Sequence, residues 1–126
     1  MYKVVAFDFD ATISTYDGVY RGDGVHGEPI RETVKAMRLL RERGFKLIIY
    51  STKSTPTIRA YCEKHSVPYD YINENPEMEQ GNPGKPRAHA YVDDRAINFH
   101  NQSAEELAAE VERFEPYYKK PASEST

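Results

Sequence analysis

The sequence predicts an α/β fold, a mainly parallel Rossmann-like sheet sandwiched by helices. Short apolar runs rich in β-branched residues alternate with segments of helical periodicity, and strands joined through helices lie parallel with right-handed crossovers. The first run, Lys-Val-Val-Ala-Phe at 3–7, is apolar without alternation, as expected of a strand buried on both faces. At 126 residues the chain suits one domain and is too short for two.

Strand one stops at Asp8. From Phe9 to Glu28 the chain carries Gly18, Gly22, Gly24 and Gly27 among polar residues, with Tyr16 and Tyr20, too irregular for a helix and suited to a flap over a site. Pro29 fits a first helical position, and Ile30, Val34, Met37 and Leu40 recur at helical spacing until Gly44 supplies a left-handed stop, giving a helix over 29–43. Phe45–Tyr50 reads as the second strand. Ser51, Thr52, Lys53 and Ser54 follow it, and Pro56 opens a helix running to about His65. A short third strand is expected over Tyr69–Ile72, then a loop over 73–85 with Pro76, Gly81, Pro83 and Gly84. The fourth strand, Ala88–Val92, ends in Asp93 and Asp94. Ser103 with Glu106 forms a capping box for a last helix whose apolar face is Leu107, Val111 and Phe114 and which ends near Pro116. Residues 119–126 lack an apolar pattern and are expected to be a disordered tail, leaving a domain over 1–118.

Composition narrows the function classes. No apolar run approaches the roughly 18 residues of a membrane span, and the N-terminal segment lacks the features of a secretory signal, so a cytoplasmic protein is expected. Cys62 is the single cysteine, which excludes an internal disulfide, a zinc ribbon and a dithiol redox motif. A net charge of -3 offers no basic footprint for non-specific binding to nucleic acid. The four histidines, His26, His65, His89 and His100, lack the spacing of a transition-metal site. Cys62, inside a helical pattern, reads as a packing residue.

In open α/β sheets the ligand lies outside the carboxyl ends of the strands. Three segments bring polar residues there: Asp8 and Asp10 after strand one, Ser51 after strand two, Asp93 and Asp94 after the last. Carboxylates gathered in one cleft repel unless a cation joins them. Magnesium takes a few carboxylate oxygens together with water and phosphate oxygens. Lys85 adds a positive charge, and the Ser51 hydroxyl is a donor for a phosphate oxygen.

The run Asp8-Phe9-Asp10-Ala11-Thr12 resembles the D-x-D-x-T signature of haloacid dehalogenase superfamily phosphatases, and Ser51, Lys85 and Asp93-Asp94 match the other three motifs in order, over about residues 3–99. The resemblance implies that Asp8 is the nucleophile that forms an aspartyl-phosphate and that Asp10 is the general acid and base. It also implies that Ser51 or the adjacent Thr52 binds phosphate with Lys85. Mg2+ would be held by Asp8, the main-chain carbonyl of Asp10 and one or both of Asp93 and Asp94. Where the family often has Gly this chain has Ala11; a positive φ there would strain alanine by roughly a kcal/mol. The stretches Asn73-Glu74-Asn75-Pro76, Gly81-Asn82-Pro83-Gly84-Lys85 and Asp93-Asp94-Arg95 resemble very small members of the superfamily, and no segment has room for a cap domain.

The implied substrate is a phosphate monoester: a nucleotide, a sugar phosphate or, against the charge balance, a nucleic-acid end. An open site suits a large substrate or closure by a partner chain, and Tyr16 and Tyr20 are placed to stack on a ring from the flap. Two other classes compete. A receiver-like signalling module uses the same residue types but carries its phosphorylated Asp after a central strand, and a silent binding protein on this fold has no need of both Asp8 and Asp10.

Overall fold

Strands and helices alternate as expected in the computed structural model, which describes residues 3–24, 26–77 and 85–119. The elements are β1 (Val4–Asp8), α1 (Arg31–Glu42), β2 (Lys46–Tyr50), α2 (Thr55–His65), β3 (Tyr71–Ile72), β4 (Ala90–Val92) and α3 (Ala104–Arg113), followed by a 3-10 turn at Tyr117–Lys119. The sheet has the order β3-β2-β1-β4 and every pair is parallel. It is an α/β fold without a cap domain. The chain runs outward from β1 to β2 and β3, then returns to place β4 on the other side of β1. That reversal puts the topological switch point between β1 and β4.

Burial explains why the first two strands lack alternation. Val5, Phe7, Leu47 and Ile49 join Val34 and Met37 of α1 and Ile58, Tyr61 and Cys62 of α2 in one core cluster. Val4, Ala6 and Ile48 point to the opposite face and are covered by Tyr50, Tyr71 and Ala88. Both faces of β1 and β2 are therefore apolar. At the edge, β4 pairs only with β1, and all three of its residues are exposed.

Several boundaries differ from expectation. Pro29 does not open α1: it forms an antiparallel bridge with Ser14, and Ile30 donates to the Ile13 carbonyl at 2.6 Å, so the chain stays extended for two residues to close the long loop. The stop at Gly44 is a Schellman motif at φ 90°, with Gly44 N–H on the Arg41 carbonyl and Phe45 N–H on that of Leu40. Strand three begins two residues late because the Asp70 side chain takes the N–H of Leu47. Ala88 and His89 precede β4, Ala88 packing against the second cluster. Ser103 caps α3 by accepting from the Glu106 N–H at 3.2 Å, yet none of the helix's residues is buried: Leu107 is half-buried, as is Phe114 beyond it, and Val111 is exposed. Lys119 closes the 3-10 turn, while the rest of the expected tail and residues 78–84 of the expected loop lie outside the described residues.

The flap expected over 9–28 is a loop whose limbs are tied together and to α2. Thr15 N–H donates to the Glu28 carbonyl at 2.9 Å, and Tyr61 hydroxyl to the Gly27 carbonyl at 2.8 Å. Asp23 accepts from the N–H and hydroxyl of Ser54 at the start of α2. Gly27 is required where the limbs meet, since a Cβ there would lie 2.6 Å from the Thr15 carbonyl oxygen. Gly27→Ala is expected to destabilise the protein by about 1–3 kcal/mol through this backbone overlap, read as a lower urea midpoint; an unchanged midpoint would show that the limbs separate freely.

Candidate active site

Parallel pairing of β1 with β4 aligns Phe7 with Val92, so Asp8 and Asp93 leave the sheet side by side. Asp94 follows, and one carboxylate oxygen from each of Asp8, Asp93 and Asp94 falls within 4.8 Å of the others. Opposite ligands of a magnesium ion are separated by roughly 4 Å, so a small shift closes this set around one cation. The acids are already engaged by neutral donors. Thr12 Oγ1 donates to Asp8 Oδ2 at 3.3 Å, Tyr50 hydroxyl donates to Asp93 Oδ2, and Arg95 N–H donates to Asp93 Oδ1 at 2.8 Å. Arg95 Nε stands 3.9 Å from Asp94 Oδ2 and its guanidinium also reaches the Tyr118 hydroxyl.

Burial pushes the Asp8 carboxyl up to about 8, reinforced by its hydrogen bond to Asp94 and by the charges of Asp94 and Asp93, with the Phe9 N–H opposing. Burial, then Asp93, likewise raises the Tyr50 phenol, which stays protonated as a donor. A positive charge beside Asp8 would favour its ionised form and oppose this shift. The donor set, oxygens only, fits a hard divalent ion such as Mg2+.

A cleft of about 600 Å³ opens beside this cluster, lined by Asp8, Asp10, Tyr50, Ser51, Thr52, Asn73, Lys85 and Asp93. All the expected phosphate-handling positions border it. Ser51 is fixed by its N–H on Asn73 Oδ1 at 2.8 Å, while its hydroxyl oxygen accepts from the Lys53 N–H at 3.0 Å, an arrangement that aims the hydroxyl proton elsewhere. The Lys85 ammonium lies 4.0 Å from the centre of the Tyr91 ring and 5.7 Å from that of Tyr50, and among the described residues it makes no ion pair with Asp8. Ala11 does occupy the left-handed region, at φ 66°, with its methyl buried. The strain anticipated for alanine is therefore present, at roughly 1 kcal/mol.

No protein-family model and no curated protein matches the sequence. Among solved structures, a conserved protein from Bacteroides thetaiotaomicron is similar, with a TM-score of 0.61 at 22% identity over 89% of this chain and 91% of that one. A structural-genomics target from Vibrio cholerae aligns with a TM-score of 0.48 at 21% identity, over 87% and 97% of the two chains. The first likeness is one of fold.

Several residues of the site carried no role in the sequence reading. Lys53 is buried, and its Nζ lies 3.1 Å from Asp10 Oδ1. Its position in the polar run that ends β2 was the available signal. Tyr50 and Asn73 also end strands at this edge; Tyr117 reaches it from the C-terminal turn through its hydroxyl on the Ala11 carbonyl.

The raised Asp8 carboxyl sets a pH dependence. Its proton is bound more tightly in the folded protein than in the unfolded chain, so without a divalent cation its contribution to stability is full below about pH 4 and lost as pH rises through about 8. Melting temperatures of metal-free protein are expected to fall across that window. In Asp8→Asn the slope should flatten, and a wild-type curve already flat would contradict the assignment.

Proposed function

We propose that the protein is a magnesium-dependent phosphomonoester hydrolase of the haloacid dehalogenase type, working through an aspartyl-phosphate on Asp8. The observation that carries this reading is the meeting of Asp8, Asp93 and Asp94 beside one cleft that also takes in Asp10, Ser51, Thr52 and Lys85. Each has a chemical task there. An Asp8 oxygen bonds to phosphorus as the ester P–O bond breaks, and the Asp10 carboxyl gives its proton to the departing oxygen. Asp10 then takes a proton from water, whose oxygen attacks phosphorus and displaces the Asp8 carboxylate to release phosphate. Ser51 or Thr52 and Lys85 hold the non-reacting phosphate oxygens. Asp8, the Asp10 carbonyl and Asp93 or Asp94 would hold magnesium, which supplies positive charge against phosphate and nucleophile alike.

The cleft is uncapped, and its apolar edge at Tyr50 suits the organic part of a small phosphorylated metabolite or nucleotide. Among the described residues no helix is long and apolar enough to cross a membrane; with a single cysteine, buried in α2, the reading is of a cytoplasmic enzyme. A receiver-like module and a silent binding fold are the competing classes, and Asp10 lining the same cleft as Asp8 favours turnover over both.

Phosphate release from a panel of monoesters is expected to require Mg2+ and to fall at least about 10³-fold in Asp8→Asn. Equal rates in the two proteins would remove Asp8 as nucleophile. With acetyl phosphate, rapid turnover is expected; a long-lived phosphorylated protein would favour the receiver class.

A further inference from the structure

Asp10 stands apart from the three clustered acids and pairs with a buried lysine. Its Oδ1 meets Lys53 Nζ at 3.1 Å, with the lysine side chain only 3% exposed and that of Asp10 27%. The ammonium also sits 5.5 Å from the centre of the Phe9 ring, and Phe9 is itself fully buried and packed edge-on against Tyr61 at 4.8 Å. Main-chain contacts fix the other end of the residue, since Lys53 N–H is bonded to Ser51 Oγ. A lysine held at backbone, stem and head has little freedom to relocate the carboxylate it grips. Stability alone does not explain such a pair, because desolvating an ammonium offsets most of the attraction and an apolar side chain of similar length serves as well.

Two cavities locate the consequence. Asp10 lines the cleft of about 600 Å³ that holds Asp8. Lys53 lines a second, of about 400 Å³, bounded by Tyr16, Val19, Tyr20, Arg21 and His26 of the flap. The ion pair joins a residue that lines one cavity to a residue that lines the other. A nucleophile and a leaving group lie on opposite sides of the phosphorus they exchange, so the proton donor must be turned from Asp8 toward the departing oxygen. We propose that Lys53 is the positioning residue for Asp10, holding Oδ1 so that the carboxyl faces away from the Asp8, Asp93 and Asp94 cluster and its other oxygen, Oδ2, carries the proton toward the flap side, where the alcohol leaves. This rests on the phosphatase reading above and adds to it the residue that aims the acid.

The test uses two esters of similar size, benzyl phosphate, whose alkoxide needs a proton to leave, and 4-nitrophenyl phosphate, whose phenolate does not. In the full chain with Mg2+, Lys53→Met is expected to lower kcat/KM about 10²-fold for the benzyl ester and no more than a few-fold for the nitrophenyl ester. In an Asp10→Asn background the same change should add nothing. Equal losses on the two esters, no loss on either, or an additive loss in the double variant would each overturn the proposal. Should wild type release phosphate from neither ester, the phosphatase reading fails instead, and the crystal structure of Lys53→Met decides the placement: a displaced Asp10 side chain supports it and an unmoved one overturns it.

Discussion

Three carboxylates meeting at the ends of two adjacent strands are the constraint to which the rest of this protein answers. One carboxylate oxygen from each of Asp8, Asp93 and Asp94 lies within 4.8 Å of the others, and burial together with the neighbouring Asp94 and Asp93 raises the Asp8 carboxyl. Among the described residues the one basic side chain that reaches the cluster is Arg95, whose Nε lies 3.9 Å from Asp94 Oδ2. Lys53 pairs with Asp10 and Lys85 lies over the faces of two tyrosines, while Thr12, Tyr50 and the Arg95 N–H hydrogen-bond to Asp8 and Asp93. The three carboxylates form a group of oxygens that could hold a metal ion.

The fold produces this arrangement with few residues. Because β4 returns next to β1 in parallel register, adjacent strands about 4.8 Å apart deliver Asp8 and Asp93 together without any long loop to position them. Apolar β1 and β2, buried on both faces, hold that edge in place. The long excursion after Asp10 is fastened to α2 by Asp23 and Tyr61, so the flap cavity is formed by tied segments. Strain at Ala11 belongs to the turn that follows Asp10, where the Ala11 N–H donates to the Ser14 carbonyl at 2.8 Å and the Ala11 carbonyl accepts from the Tyr117 hydroxyl.

Much of this was legible in the sequence. Continuous apolar runs mark strands in a parallel sheet, and the residues that stop them mark its carboxyl edge, so Asp8, Ser51 and Asp93 were placed correctly by where their strands end. Boundaries slipped where tertiary pairing overrode local preference, as at Pro29, drawn into a bridge with Ser14, and Asp70, whose side chain replaces a ladder partner. The apolar stripe of α3 was visible, but periodicity does not reveal whether anything covers it, and none of its residues is buried. Lys53 was not legible because a lysine in a polar turn reads as solvated, and its burial depends on tertiary contacts, with the Phe9 ring 5.5 Å from its ammonium and Asp10 at 3.1 Å.

The central claim is that Asp8 forms a covalent bond to phosphorus within a cation-dependent site. Acid quenching during turnover in Mg2+, followed by mass spectrometry of the peptides, measures it directly. The account predicts one phosphoryl group on the peptide containing Asp8, absent without the metal and absent from Asp8→Asn. Turnover with no phosphorylated peptide, or with the group on another residue, would contradict it.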